Sequence, residues 1–162
     1  HAVRPKRILD RMDAAGVDLA MVCSLAQRIE NDFIAGLVKA HPDRLFGFGQ
    51  VMPQADDALD EIARMRDNGI VGLKLHPSMH GYHVADHGLL DPVFSRCAEL
   101  GMPILINALD DAFCAPLAIE EIAKGHPDVP TIIAHMGAVW NVPEAIIVPS
   151  GTRTSTWRRP RR

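Results

Sequence analysis

Residues 58–75 read ALDEIARMRDNGIVGLKL, and this stretch decides the fold class. The apolar residues of its first half recur at the spacing of one helix face, and Asn68-Gly69 is a typical helix stop. Ile70–Leu75 is then a short apolar run that follows a turn signal, as in a buried strand. The stretch therefore predicts a helix followed at once by a strand.

The same helix-then-strand couplet occurs five times along the chain. Each helical pattern stops at a glycine or at a His-Pro pair and gives way to an apolar run. The glycines of the second run, LFGFGQVM, are expected to let neighbouring backbone approach closely. The predicted helices lie within residues 8–16, 33–39, 58–66, 92–100 and 116–124, and the predicted strands are 17–25, 45–52, 70–75, 102–106 and 131–134.

This alternation predicts an α/β protein with a parallel sheet. Parallel neighbours joined by short connections need a crossover helix, and their strands read as continuous apolar runs because helices cover the sheet. Two architectures fit five such units: a five-stranded doubly wound open sheet and part of a (β/α)8 barrel. Periodicity does not choose between them, and the length of 162 residues alone favours the open sheet.

Composition narrows the classes of function. Residues 1–150 carry 12 Lys and Arg against 20 Asp and Glu, whereas the last twelve residues hold five Arg and no acid. Such a body has no basic face for nucleic acid, and the tail is too short to supply one. A small-molecule partner is expected instead, with no nucleic acid or membrane, and homo-oligomerisation stays open.

Cysteine usage and hydropathy point to an ordinary soluble domain. The three cysteines, Cys23, Cys97 and Cys114, form no CxxC pair, which argues against a disulfide framework and against a cysteine zinc site. No apolar stretch approaches the roughly 18 to 20 residues of a membrane span, and no signal peptide pattern opens the chain. The expected location is the cytoplasm.

Candidate functional residues follow the predicted strands, because both architectures place their sites at the carboxyl ends of parallel strands. Lys74 and His76 alternate to one side of the third strand, and His135 ends the last one. Asn107 holds the corresponding place on the fourth strand, with Asp110 and Asp111 just beyond. The alternatives are a lysine reaching the rim and histidines hydrogen-bonded within the structure.

Four of the eight histidines lie between His76 and His87. Their spacing would place them along one face of a helix, but Pro77 and Gly81 make a long helix there improbable. The segment is expected to be a loop over the site. It is either a mobile lid carrying Tyr82 or a solvated loop without rigid ligand geometry.

Three segments, in this order and at these separations, carry a family resemblance: GIVGLKLHP at 69–77, PVFSRCAELGMPILIN at 92–107 and TIIAHMG at 131–137. They resemble the amidohydrolase-related branch of the metal-dependent amidohydrolase superfamily, which includes aminocarboxymuconate-semialdehyde decarboxylase and various hydrolases. The resemblance runs from about Pro5 to Ile147. It implies a (β/α)8 TIM barrel and moves the choice of fold away from the open sheet.

The resemblance also implies a metal site of which this sequence holds little. The family places a His-x-His pair on strand one, single histidines on strands five and six, and an Asp on strand eight. Residues 1–162 match strands two to six, so His135 corresponds to the sixth-strand histidine and Asn107 stands where the fifth-strand histidine is expected. Lys74 lies near the place of a carboxylated, metal-bridging lysine of distant superfamily members.

The resemblance implies a metal-dependent hydrolase or decarboxylase (a carboxy-lyase) acting on a small carboxylated or cyclic substrate. His135 would serve as acid or base with His76 and Lys74 near the substrate carboxylate, and a divalent metal, zinc, would be held in the complete protein by a set that includes His135 and Asn107. This chain is expected to be inactive by itself. The alternative is a non-catalytic α/β binding module that has lost the metal.

The chain divides into two expected regions. Residues 1–147 form a partial barrel domain. Residues 148–162 form a basic tail that is expected to be disordered or read out of frame.

Overall fold

The computed structural model describes residues 5–25 and 29–148, and helices alternate with strands except where two helices follow the third strand. The helices are α1 (Pro5–Ala14), α2 (Asn31–Ala40), α3 (Ala58–Asp67), α4 (Pro77–His80), α5 (His87–Leu100), α6 (Pro116–Gly125) and α7 (Val142–Ile147). The strands are β1 (Ala20–Cys23), β2 (Leu45–Gln50), β3 (Gly72–Leu75), β4 (Ile104–Asn107) and β5 (Thr131–Ala134), and β5 runs into a single 3₁₀ turn, His135–Gly137. The predicted α/β class is confirmed.

The described residues belong to two compact units, His1–Lys74 and Leu75–Arg162. In the first unit β1, β2 and β3 pair in parallel, with Val22 opposite Gly47 and Phe48 opposite Gly72. Ile62 and Met65 of α3 are fully buried, as the helical spacing predicts. Gly16 and Gly69 follow α1 and α3 with positive φ angles, which glycine adopts without strain, so both predicted helix stops are confirmed.

The glycines of β2 make room for side chains. A Cβ on Gly49 would lie 2.0 Å from the Met65 sulfur, and a Cβ on Gly47 would lie 2.8 Å from Ile34. The expectation that neighbouring backbone approaches these glycines was therefore wrong, because the groups that approach them are side chains. Side chains of α2 and α3 occupy the space that a Cβ would fill, which seats both helices close against the strand.

The second unit holds β4 and β5, paired in parallel with Asn107 opposite Ala134. α5 ends at Gly101, whose φ of 62° accommodates the left-handed cap conformation. β4 is buried along its whole length, and Val93, Phe94 and Cys97 of α5 are buried as well. Register and burial together bring the carboxyl ends of β4 and β5 side by side.

The segment between His76 and His87 differs from the expected loop. Pro77–His80 forms the one-turn helix α4, which begins at a proline and ends at the left-handed Gly81. Tyr82 and Val84 are buried, and the backbone N–H of Val84 donates to the Phe113 carbonyl over 2.8 Å. The segment is therefore a one-turn helix followed by a short irregular stretch that buries two side chains, and not a wholly solvated loop.

The basic tail predicted for residues 148–162 lies, beyond Val148, outside the described residues. None of the described helices has both the length and the apolar character needed to cross a membrane.

Candidate functional site

Asn107 and His135 meet at the carboxyl ends of β4 and β5. Asn107 is buried, with 2% of its surface exposed, whereas His135 is exposed. The Nε2 atom of His135 lies 3.0 Å from Oδ1 of Asn107, a hydrogen-bond distance at which the imidazole N–H donates to the amide oxygen. The other amide atom, Nδ2, is buried and has no hydrogen-bond partner among the described residues.

The backbone that carries His135 is strained. The φ angles of His135, Met136 and Ala138 are 60°, 51° and 51°, and Gly137 between them has a φ of 75°. Residues other than glycine adopt this left-handed region at a cost, and such outliers persist where the surrounding structure holds them, often at functional sites. Four consecutive residues with positive φ, three of them not glycine, end β5 sharply, and the His135 ring is exposed.

Asp110 holds the chain just beyond this turn. Its Oδ1 atom accepts hydrogen bonds from the backbone N–H groups of Trp140 and Asn141 over 2.8 and 3.3 Å, and its Oδ2 atom accepts one from Val139 over 3.0 Å. Charged acceptors form the stronger hydrogen bonds of proteins. The loop after β4 is thereby tied to the loop after β5.

The side chains in this corner do not fit the metal that the resemblance implies. A structural or catalytic zinc site needs at least three protein ligands, and no group of three His, Cys, Asp or Glu able to hold a metal ion occurs within residues 5–25 and 29–148. Asn107 and His135, the two predicted ligands, bond to each other instead. An amide is also a rare zinc ligand.

The structure gives the two remaining predicted site residues separate positions. Nδ1 of His76 accepts a 3.3 Å hydrogen bond from the backbone N–H of Met79, so this imidazole caps α4. Lys74 lies in the first unit, half-buried on β3 and opposite Gln50 of β2. Asn107 and His135 are the two predicted site residues that a hydrogen bond joins.

A second polar cluster in the same unit was not predicted. Ser78 Oγ donates to Asp111 Oδ2 over 2.6 Å, and Cys114 Sγ lies 3.3 Å from both side chains. Burial raises the pKa of Asp111, but hydrogen bonds from Ser78 and Cys114 outweigh it and hold that pKa below its usual value. Burial raises the pKa of the Cys114 thiol, which makes it a weak nucleophile.

The first unit contains a polar network centred on Asn31. Its Oδ1 accepts from Ser24 Oγ over 2.6 Å and from the Gln50 N–H over 2.9 Å. Its Nδ2 donates to the Gln50 carbonyl over 2.9 Å and to Glu61 Oε1 over 2.7 Å. Arg64 forms two hydrogen bonds to Glu61, which lower the pKa of that carboxyl. An open cavity of about 330 Å³ adjoins the network.

Comparison with known families identifies the chain. The sequence profile of the family described as Amidohydrolase matches residues 3–160, nearly the whole sequence. The chain belongs to this amidohydrolase family. The resemblance predicted from the three segments is confirmed, and no curated protein gives a significant match.

Solved structures of similar fold agree. A probable 2-pyrone-4,6-dicarboxylic acid hydrolase from Acinetobacter baumannii, crystallised with citric acid, superposes with a TM-score of 0.70 at 14% identity, covering 86% of this chain and 50% of its own. The 5-carboxyvanillate decarboxylase of Novosphingobium aromaticivorans, with bound manganese, gives 0.63 at 23% identity, covering 81% and 49%. A 2,6-dihydroxybenzoate decarboxylase gives 0.65 at 20%, covering 84% and 56%.

These likenesses settle the fold class. The β/α units are those of a TIM-barrel amidohydrolase, so the barrel predicted from the resemblance is confirmed over the open sheet that length alone favoured. The chain spans about half the length of the solved relatives. In such barrels the carboxyl ends of the strands carry the chemistry, and this is where Asn107 and His135 lie.

Proposed function

We propose that this amidohydrolase-family chain belongs to a hydrolase or decarboxylase that acts on a small carboxylated or cyclic substrate, with His135 as its general acid or base. The observation that carries the proposal is the exposed imidazole of His135 at the end of β5, hydrogen-bonded to the buried Asn107. Carboxylated compounds named for the relatives support the substrate class.

The chemistry proposed for this corner uses protein side chains alone. With Nε2 donating to Asn107, the Nδ1 atom of a neutral His135 is free to take a proton from water or substrate, and a protonated ring can return it. The amide of Asn107 fixes the ring orientation and favours one tautomer. The described residues do not fit the zinc ion that the resemblance implies, and no step here depends on it.

The test is turnover of three carboxylated compounds by the purified chain: 2-pyrone-4,6-dicarboxylate, 5-carboxyvanillate and 2,6-dihydroxybenzoate. We expect the chain by itself to be inactive. When it is completed to a full barrel we expect at least one compound to be consumed, and His135→Ala to lower that rate by about 10² while the circular dichroism spectrum is kept. The exposed His83 gives the matched control, His83→Ala, which should keep the rate. Equal rates in wild type and His135→Ala would remove His135 from the chemistry.

A second candidate is a non-catalytic binding module that kept the barrel units and lost the metal. It is favoured by one observation, the presence of Asn107 where the family resemblance expects a histidine ligand, already paired with His135. Elemental analysis of the purified chain separates the two candidates. Stoichiometric, tightly held zinc or manganese would support the enzyme, whereas the absence of bound metal would favour the binding module.

A further inference from the structure

We propose that Asp110 is the positioning residue of His135: its carboxylate holds the strained turn at 135–138, and the turn keeps the imidazole against Asn107. The inference rests on the proposed function, because it takes His135 as the general acid or base. It goes beyond that function because it assigns the placement of the ring to a residue that acts through the backbone.

The first argument is where the strain lies. Ala138 has a φ of 51° and a ψ of −131°, close to the conformation that glycine takes at the first central position of a type II′ turn. The pairing of β5 with β4 fixes the chain as far as Ala134, which lies opposite Asn107. The direction in which His135 leaves the sheet therefore depends on the turn that follows it.

The second argument is what opposes the strain. The backbone N–H groups of the three residues directly after Ala138 all donate to the carboxylate of Asp110, over 2.8 to 3.3 Å. Within the turn, the N–H of Ala138 donates to the His135 carbonyl over 2.9 Å. A strained conformation persists only where its surroundings hold it, and charged acceptors form the stronger hydrogen bonds. Removing the carboxylate should therefore let the turn relax.

The third argument is that Asp110 acts from a fixed point. Both of its neighbours in sequence bond to the polar cluster of Ser78, Asp111 and Cys114. The N–H of Leu109 donates to the Cys114 sulfur over 3.3 Å, and the Asp111 carboxylate accepts from the Ser78 hydroxyl over 2.6 Å. These bonds hold the segment after β4, so the carboxylate of Asp110 does not simply follow the turn when the turn moves.

A purely structural role for Asp110 makes a different prediction. Asn141, one of its three donors, directly precedes α7, so the carboxylate could serve only to hold the start of that helix. Loss of such a role would destabilise α7 and leave the ring of His135 in place. Positioning requires a change at the ring itself, and the contact between the imidazole and the Asn107 amide is the readout that separates the two roles.

The experiment measures by NMR, on the full chain, the nuclear Overhauser effect between the ring protons of His135 and the side-chain amide protons of Asn107. The two sets of signals are assigned by their loss in His135→Gln and in Asn107→Asp. We expect the effect to fall by about threefold or more in Asp110→Ala, because the relaxed turn lets the ring leave the amide. Asp128→Ala, at another exposed aspartate of the same unit, should keep the wild-type value.

Two further variants test whether Asp110 acts through the strain. Ala138→Gly places glycine in a conformation that glycine adopts without strain, so the turn no longer needs the carboxylate. Combined with Asp110→Ala, it should therefore restore most of the effect that Asp110→Ala loses. Asp110→Asn keeps one acceptor oxygen but turns an N–H toward a backbone donor, and its value should lie between those of wild type and Asp110→Ala.

An unchanged effect in a folded Asp110→Ala would overturn the proposal, and so would a loss that Ala138→Gly does not reverse. If Asp110→Ala alone does not fold, Asp110→Asn takes its place, and an undiminished effect in that variant overturns the proposal. The readout does not depend on turnover. Full activity of His135→Ala in the completed barrel would refute the proposed function and leave the placement of the ring by Asp110 standing.

Discussion

Two asparagines, one in each unit, use their amides in opposite ways. Asn31 at the start of α2 makes four hydrogen bonds, which join the ends of β1 and β2 to α3. Asn107 at the end of β4 makes one, with His135, although it is the more deeply buried of the two. An amide can accept two hydrogen bonds and donate two, so Asn31 is saturated and Asn107 is not.

The contrast separates an amide that joins several elements from an amide that makes a single hydrogen bond. Each partner of Asn31 belongs to a different element of the first unit, so the amide acts as a fixed joint between them. Asn107 links only two adjacent strand ends, whose backbones are already paired in register. Its Nδ2 is buried and forms no hydrogen bond with the described residues.

The largest effect is expected from removing the saturated amide. Asn31→Leu keeps the side-chain size but removes the hydrogen bonds that the Ser24 hydroxyl, the Gln50 backbone and Glu61 make with Asn31. Unpaired buried groups cost about 1 to 3 kcal/mol each, and partial access to water reduces the total, so we expect a loss of about 3 kcal/mol of unfolding free energy. Urea denaturation of the full chain measures it.

Asn107→Leu is the matched change in the other unit. It breaks one hydrogen bond to an exposed ring that water can satisfy, and it removes a buried donor without a partner, so we expect a change within about 1 kcal/mol. Equal destabilisation by the two variants would break the comparison, because it would make Asn107 as structural as Asn31.

How far the sequence predicts the fold depends on how local the signal is. Strand β5 was predicted with its observed bounds, Thr131–Ala134, because a clear apolar run is bounded by turn residues. Strand β1 was predicted from Val17, but it begins at Ala20. Arg44 explains the difference. Its guanidinium donates hydrogen bonds to the backbone carbonyls of Val17 and Asp18, so these carbonyls do not take part in the pairing of β1 with β2.

The candidate site, like the fold, is predictable only where the signal in the sequence is local. The sequence predicts Asn107 and His135 at the ends of neighbouring strands, but it does not predict the hydrogen bond between them, because both were expected to bind a metal. The roles of Asp110 and Asn31 do not follow, because each makes its contacts with residues distant in sequence, 29 to 31 positions away for Asp110. Hydrophobic periodicity carries no information about such side-chain partners.

A smaller, local effect is expected from Asp110→Ala. The change removes the acceptor for three backbone N–H groups next to the strained turn, so the turn should open more often. We expect amide hydrogen exchange of Val139, Trp140 and Asn141 to speed up by about tenfold with little change in global stability. Asp128→Ala, at another exposed aspartate of the same unit, is the control. Unchanged exchange at all three amides would mean that Asp110 does not hold this loop.

The smallest expected effect is the loss of stability at acidic pH that comes from Glu61 in the Asn31 network. The hydrogen bonds from Arg64, followed by the one from Asn31, hold the pKa of Glu61 below its ordinary value of 4.5 despite partial burial. A carboxyl with a lowered folded-state pKa adds stability above its unfolded-state value, and that stability is lost as the pH falls through the folded-state pKa. Unfolding free energy should therefore decline below about pH 4.5, and Glu61→Gln should flatten part of that decline while costing little more than the lost ion pair at neutral pH. Asp60→Asn, on the same helix but exposed, should leave the decline unchanged. An identical pH profile for Glu61→Gln and wild type would show that the Asn31 network does not depend on the charge of Glu61. The difference between Asn31 and Asn107 would then rest on neutral hydrogen bonds alone.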